Sequence, residues 1–193
     1  MRVRFVIAMM PRSRLNMTLA TQIDALLPQT QCTKCGFDGC MPYAEAIAAG
    51  VAGIERCPPG GDAGIAALAA LLSRAIVPLD SSCGAHLPHR IALIDEAACI
   101  GCAKCLKACP TDAIIGANKV MHTVIPELCT GCDLCIPPCP VDCISMVEDP
   151  HYPASLDADT ARERFQFHNF RLARDLRERD ELLAAKERTL IEK

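Results

Sequence analysis

Two cysteine runs of the same spacing lie in the middle of this chain of 193 residues, thirty residues apart. Each run reads C-x2-C-x2-C-x3-C-P; the residues are Cys99, Cys102, Cys105, Cys109 and Pro110 in the first, and Cys129, Cys132, Cys135, Cys139 and Pro140 in the second. Cysteine thiolates are soft ligands, and this spacing is typical of chains that hold two [4Fe–4S] clusters. In such chains the fourth cysteine of each run binds the other cluster. The spacing therefore predicts two crossed ligand sets: Cys99, Cys102, Cys105 and Cys139 for one cluster, and Cys129, Cys132, Cys135 and Cys109 for the other.

A third set of four cysteines precedes these runs in the pattern C-x2-C-x4-C-x16-C, and it comprises Cys32, Cys35, Cys40 and Cys57. Four thiolates suit either zinc or an iron–sulfur cluster, so the spacing alone leaves both open. The two neighbouring iron–sulfur motifs favour a [4Fe–4S] cluster here as well. For the two later runs, a pair of zinc sites is the weaker alternative, because zinc sites rarely place three cysteines at such close spacing.

The composition argues against several classes of protein. The chain has 20 Lys and Arg against 23 Asp and Glu, a net charge of −3, which does not indicate a nucleic-acid binder. Its 14 cysteines predict metal binding in a reducing cytoplasm, because no secretory signal peptide is visible. No apolar run approaches the roughly 20 residues that a membrane-spanning helix needs. Neither a glycine-rich nucleotide loop nor a G-x-S-x-G motif is present, so we expect no catalytic residue.

The two runs belong to an internal repeat, in which residues 94–114 recur as residues 124–144. Neither half can bury its side of a cluster alone, so the halves must pack as a pseudo-twofold pair. We expect short strands at 91–94 and 120–124, and one helical turn that starts at each Cys-Pro. Gly101 and Gly131 are expected where the backbone wraps closely around a cluster. This is the α+β pattern of a two-cluster ferredoxin.

Apolar periodicity predicts helices on both sides of the repeat. A short amphipathic helix follows Thr18 and ends at Pro28, a second spans 41–49, and a third spans 63–72 with Asp62 as its N-cap. Residues 157–193 hold nine acidic and nine basic residues with an approximate apolar heptad. We expect one long helix there, capped by Asp157 or Asp159, that packs on its own domain, on a partner or on a second copy.

The predicted fold class is α+β, with a small helical iron–sulfur domain, then a ferredoxin-like double [4Fe–4S] domain, and a C-terminal helix. The expected boundaries are 1–17 for a disordered leader, 18–73 for the helical [4Fe–4S] domain, 74–90 for a linker, 91–149 for the 2[4Fe–4S] ferredoxin domain and 157–193 for the charged amphipathic helix.

Two cysteines fall outside the three sets. Cys83 forms a C-x2-H-x2-H pattern with His86 and His89, but no fourth ligand is nearby. We therefore interpret Cys83 as a thiol that binds no metal, and the two histidines as ordinary linker residues. Cys143 aligns with Ala113 of the first half, and we expect a small buried thiol there; a role as a spare ligand or redox sensor stays open.

One stretch of the helical part carries a family resemblance. It consists of residues 26–40 (LLPQTQCTKCGFDGC), 42–47 (PYAEAI) and 57–61 (CPPGG). Together with the double run, this stretch resembles the B subunit of the Rnf-type electron transport complex, over residues 18–147. The resemblance implies that the first four-cysteine set holds a [4Fe–4S] cluster, which makes three clusters in the chain. Members of that family usually begin with a hydrophobic membrane anchor, whereas residues 1–17 show none, so we expect a variant that lacks this segment.

These observations predict an iron–sulfur protein that relays single electrons through three [4Fe–4S] clusters, as the resemblance implies for a component of an ion-translocating complex. We expect redox partner proteins, among them membrane-bound Rnf-type subunits. Residues 84–150 carry a net charge of −4, which would steer the chain onto a basic patch of such a partner. The chain would carry electrons without a substrate site of its own, in the cytoplasm or on the cytoplasmic face of the inner membrane. The alternatives are a free-standing soluble polyferredoxin for a cytoplasmic reductase, and a zinc-binding or redox-sensing module.

Overall fold

The computed structural model describes residues 17–149 and 157–191, so the predicted leader lies outside the described residues except for Met17. Among the described residues, no helix is both long enough and apolar enough to cross a membrane. The helices and strands follow one another in the order α1 (Leu19–Asp24), α2 (Cys40–Ala48), α3 (Gly61–Leu72), β1 (Arg90–Ile94), α4 (Lys104–Ala108), β2 (Ile114–Ala117), β3 (Val120–Val124), β4 (Ile144–Glu148) and α5 (Ala158–Ile191).

Helices α1 to α3 enclose the first hydrophobic core. Its largest fully buried side chains are Tyr43, Ile23, Ile47, Ile65 and Leu68. The Tyr43 hydroxyl is satisfied inside this core, because it donates to the Gly53 carbonyl at 2.8 Å and accepts from the Arg56 amide at 3.1 Å. The core therefore joins α2 to the loop that leads to Cys57.

The starts and ends of these helices differ in detail from the sequence prediction. Helix α1 is capped by Thr18, as expected, but it ends at Asp24 and not at Pro28. The side-chain amide of Gln29 helps to end this helix, because it donates to the Asp24 carbonyl at 2.7 Å. The prediction that Asp62 caps α3 is wrong: the cap is Gly60, and Asp62 lies in the first turn, where its charge favours the helix dipole.

The internal repeat forms two small antiparallel sheets. Strand β1 pairs with β4, in register Ile94 to Ile144, and β2 pairs with β3, in register Ile114 to Val124. Each sheet thus joins a strand of one half to a strand of the other, which is the crosswise packing that a pseudo-twofold pair requires. The strands predicted at 91–94 and 120–124 are confirmed, whereas β2 and β4 were not predicted.

The predicted helical turn after each Cys-Pro is wrong, because both segments form reverse turns. Asp112 and Asp142 have positive φ angles of 50° and 49°, a left-handed conformation that cannot continue a right-handed helix. The helical segment of the first half is α4, which lies before Cys109. In the second half Pro137 and Pro138 remove two amide donors from the equivalent segment, and it forms only turns there.

Helix α5 is the predicted C-terminal helix, and it starts at an Asp157 cap. The Asp157 carboxylate accepts from the amides of Asp159 and Thr160, both at 3.0 Å. The first turns pack on the rest of the protein, since Ala161 is 1% exposed and His168 is 4% exposed. Further along, Leu176, Leu183 and Leu190 are exposed, so the apolar residues in the second half of the helix face solvent.

Candidate iron–sulfur centres

The structure brings the twelve cysteines of the three motifs together in three groups of four. Each group lines one small enclosed cavity: Cys32, Cys35, Cys40 and Cys57 the first, Cys109, Cys129, Cys132 and Cys135 the second, and Cys99, Cys102, Cys105 and Cys139 the third. We call these the Cys32 set, the Cys129 set and the Cys99 set. Cys109 lies with the second run and Cys139 with the first, so the grouping is the crossed one.

The two crossed sets have the same backbone environment. The amide of Ala92 in β1 donates to the Cys129 sulfur, and the amide of His122 in β3 donates to the Cys99 sulfur, both at 3.4 Å. The Ala113 amide also donates to the Cys109 sulfur at 3.1 Å. Amide donors of this kind stabilise negative charge on a thiolate, which is the form that binds metal.

Gly101 and Gly131 are required for a reason that the sequence did not reveal. Both have a φ angle of +68°, which favours glycine. A Cβ atom at Gly131 would lie 2.3 Å from the Arg90 carbonyl oxygen, and one at Gly101 would lie 2.6 Å from the Val120 nitrogen. The close neighbour is therefore the backbone of strand β1 or β3, and these glycines let the cysteine loops lie directly against the strands.

Four thiolates suit two kinds of metal centre, and the two need different arrangements of the sulfur atoms. A single zinc ion binds its sulfur ligands at about 2.3 Å, so all four must converge on one point. Among the described residues, which include all the cysteines, no group of three or more Cys, His, Asp or Glu side chains converges closely enough to hold one ion. A [4Fe–4S] cluster is bound through a separate iron at each cysteine, so its ligands surround a larger space. In each set four cysteines line a common cavity, which is the arrangement that such a cluster needs.

Burial changes the acid–base behaviour of these thiols. It raises the pKa to about 12 for four of them, Cys40, Cys57, Cys132 and Cys135. Only the thiolate binds metal, so a metal that enters these cavities must displace protons. Binding at the Cys32 and Cys129 sets is therefore coupled to proton release.

Two contacts connect the Cys32 set to the Cys129 set. Lys34 and Asp133 form an ion pair at 2.6 Å, and the Thr130 hydroxyl donates to the Thr30 carbonyl at 3.0 Å. Thr30 lines the Cys32 cavity, while Thr130 and Asp133 line the Cys129 cavity. These two cavities are therefore neighbours across the contact between the helical part and the ferredoxin-like part.

Helix α5 strengthens the same contact, and sequence reasoning missed this role. Arg162 pairs with Asp24 of the helical part at 2.6 Å, and Asp24 is only 2% exposed. Further along the helix, the Arg164 guanidinium donates to the Thr111 carbonyl at 2.6 Å, two residues after Cys109. The Asp112 carboxylate accepts from His168 and Arg171, each at 2.7 Å. Helix α5 therefore holds the Cys109 loop and the helical part together.

The Cys83, His86 and His89 pattern does not assemble into a site. The Cys83 sulfur contacts Asp80 at 3.7 Å, Nδ1 of His86 lies 2.8 Å from the Pro58 carbonyl, and Nδ1 of His89 pairs with Asp149 at 3.1 Å. Each side chain thus interacts with a different part of the chain, and the three do not share a ligand position.

Two further side chains reach the Cys99 cavity. Cys143 is 9% exposed, and its sulfur lies 3.5 Å from that of Cys139. Burial and the contact with Cys139 raise the pKa of Cys143, so this thiol keeps its proton. His122 is 1% exposed and lines the same cavity. The sequence drew attention to Cys143, but it offered no signal for His122, because a single histidine in a strand has no distinguishing spacing.

Two family models match the parts of the chain that contain the cysteine sets. Residues 27–59 match a family model described as a putative Fe-S cluster, and residues 92–146 match a 4Fe-4S dicluster domain. No solved structure matches this chain.

Several curated proteins named as the B subunit of an ion-translocating oxidoreductase complex are close relatives. The protein from Azoarcus sp. is 62% identical over 128 residues, which cover 66% of this chain and 70% of that protein. The one from Alkalilimnicola ehrlichii is 58% identical over 152 residues, 75% of this chain and 81% of that protein. A Pseudomonas aeruginosa protein is 63% identical over 132 residues, 68% of this chain and 69% of that protein. The chain therefore belongs to the B-subunit family of the ion-translocating oxidoreductase complex, the Rnf-type complex.

Proposed function

We propose that this chain relays single electrons through three [4Fe–4S] clusters as the B subunit of a Rnf-type complex. The observation that carries the proposal is the grouping of twelve cysteines around three separate cavities. Each [4Fe–4S] cluster supplies reversible one-electron chemistry. The protein's own contribution is to hold the clusters in place, bury them and set their hydrogen bonds.

The ligand assignment follows the three cysteine sets. The Cys32 set would hold one cluster within a helical domain of residues 18–73, and the Cys99 and Cys129 sets would hold two within a ferredoxin domain of residues 91–149. Residues 74–90 would serve as the linker, and residues 157–193 as the charged helix. Support comes from the amide donors at Ala92, Ala113 and His122, which point at cysteine sulfurs.

The contacts between the two domains support a linear order of the three sites. The Lys34–Asp133 pair and the Thr130–Thr30 hydrogen bond place the Cys32 set beside the Cys129 set. Arg164 of α5 also contacts the loop after Cys109, on the side of the Cys129 set. The Cys99 set then forms the other end of the row. Its cavity is lined by Ile100 and Val141, which are 59% and 39% exposed and offer an apolar surface to a partner.

The partners would be membrane-bound subunits of the same complex, on its cytoplasmic face. The names of the relatives assign them to an ion-translocating oxidoreductase complex. Residues 84–150 carry eight acidic and four basic residues, so a basic patch on the partner would complement this surface. The exposed second half of α5 offers a further surface for association.

A reductive titration of the anaerobically purified chain tests this proposal. Three one-electron sites predict about three electrons per chain. A Cys57→Ser variant should take up about two, whereas the matched control Cys83→Ser, which changes a cysteine outside the three sets, should still take up three. Two electrons in the unmodified chain, or equal uptake by the two variants, would contradict the assignment of a cluster to the Cys32 set.

A further inference from the structure

The two halves of the ferredoxin-like part make matching backbone hydrogen bonds to their cysteine sulfurs, and two of the positions at which they differ lie beside those sulfurs. Ala92 and His122 occupy equivalent positions thirty residues apart, and their amides donate to Cys129 and Cys99 at the same distance of 3.4 Å. Ala113 and Cys143 are a second equivalent pair. In both pairs the Cys129 set faces an alanine, while the Cys99 set faces a side chain that can donate a hydrogen bond. The Thr111 hydroxyl lies 3.9 Å from the Cys109 sulfur, but it donates to the Leu128 carbonyl at 2.8 Å.

The imidazole of His122 lies against two sulfurs of the Cys99 set. Its Nδ1 atom is 3.5 Å from the sulfur of Cys99 and 3.5 Å from that of Cys105. Its Nε2 atom is buried and has no hydrogen-bond partner among the described residues. Nδ1 therefore makes the ring's only contacts of this kind in the described part of the chain.

Gly116 leaves the space that this ring occupies. A Cβ atom at Gly116 would lie 2.2 Å from Cδ2 of His122, and the φ angle of Gly116 is +149°. The ring is thus held by the shape of the neighbouring strand as well as by its contacts with sulfur. A side chain fixed in this way does not need to be reordered when charge changes beside it.

The direction of these hydrogen bonds follows from the chemistry of the partners. A cysteine that binds iron is a thiolate and carries no proton, so it can only accept. The hydrogen of the ring must therefore be on Nδ1, and His122 is the donor. The Cys143 thiol lies 3.5 Å from the Cys139 sulfur. It can donate to that sulfur, because a cysteine that binds iron can only accept.

Hydrogen bonds to the ligand sulfurs favour the reduced form of a cluster, because reduction adds negative charge. We propose that His122 is a positioning residue that raises the reduction potential of the Cys99 site above that of the Cys129 site, where Ala92 stands in its place. Electrons that reach the ferredoxin domain would then reside on the Cys99 site, at the end of the row that faces the partner. This inference rests on the proposed function, since it requires both sites to hold clusters.

The test is a redox titration of the intact holoprotein, followed by EPR, with two variants that remove the donor. His122→Phe keeps a ring in the same space, and His122→Ala copies Ala92. We expect both to lower the potential of one ferredoxin cluster, with a change of about tenfold in its one-electron equilibrium constant, or about 59 mV. His122→Asn retains a side-chain donor and should recover most of the shift.

Met121→Ala provides the matched control, because Met121 is the preceding residue of β3 and its side chain is 55% exposed. It should leave all potentials unchanged. Equal shifts of both ferredoxin clusters, no shift in His122→Phe, or a shift as large in Met121→Ala would each overturn the role of His122. Iron is counted in every sample: a wild-type chain without both ferredoxin clusters refutes the proposed function, whereas full iron content with unmoved potentials refutes this inference alone.

Discussion

Replacing Gly131 by alanine tests how closely the Cys129 loop depends on the strand beside it. The new Cβ atom would lie 2.3 Å from the Arg90 carbonyl oxygen, about 1 Å inside an ordinary contact between carbon and oxygen. Relieving this overlap requires movement of the end of strand β1, at a cost of about 1–3 kcal/mol. The φ angle of +68° adds about 1–2 kcal/mol for any residue with a Cβ atom. The total cost is about 2–5 kcal/mol, and it falls on the loop between Cys129 and Cys132.

The assay for this variant is the rate at which iron is lost to a chelator from the holoprotein. A cost of about 2 kcal/mol corresponds to a factor of about 30, so about one third of the iron should leave at least about 30-fold faster than in the wild type. Gly50→Ala is the matched control, because Gly50 has a similar φ angle of +73° but no atom within 4 Å of the added Cβ. Equal iron loss from the two variants would show that the contact with Arg90 does not matter, and the reasoning would fail.

Two further predictions concern stability. Arg162→Met leaves the carboxylate of Asp24 buried without the ion-pair partner that lies 2.6 Å away. The free energy needed to open the first turns of α5 should therefore fall by about 2–3 kcal/mol. Hydrogen exchange of their amides should then be at least about 30-fold faster, and an unchanged rate would argue against the clamp. Gly64→Ala should raise the free energy of unfolding by about 0.5–1 kcal/mol, because Gly64 lies within α3 and no atom is within 4 Å of the added Cβ. Denaturant unfolding measures this change, and a less stable variant would contradict it.

Local spacing accounts for what the sequence predicted well. The two strands at 91–94 and 120–124 are present as β1 and β3, because each places apolar residues ahead of a cysteine run. The long C-terminal helix is present as α5, since its charged and apolar residues follow helical periodicity over 34 residues. The mixed helix and strand fold follows from the same patterns.

What the sequence did not predict depends on backbone conformation or on contacts far apart in the chain. The turns after Cys109 and Cys139 end at aspartates with positive φ, which a Cys-Pro pattern does not indicate. Glycine is needed at position 131 because the backbone of Arg90, far earlier in the chain, lies close to it. This contact forms only once β1 is in place. His122 was missed for the same reason, because only folding brings it to the cysteine sulfurs.

The central claim is that the chain holds three [4Fe–4S] clusters. The most direct test counts iron and acid-labile sulfide in the anaerobically purified chain and determines its zinc content. Four irons for each of the three cysteine sets predict twelve irons and twelve sulfides per chain, with no stoichiometric zinc. Eight irons would remove the cluster from the Cys32 set, and a colourless protein with stoichiometric zinc would contradict the whole account.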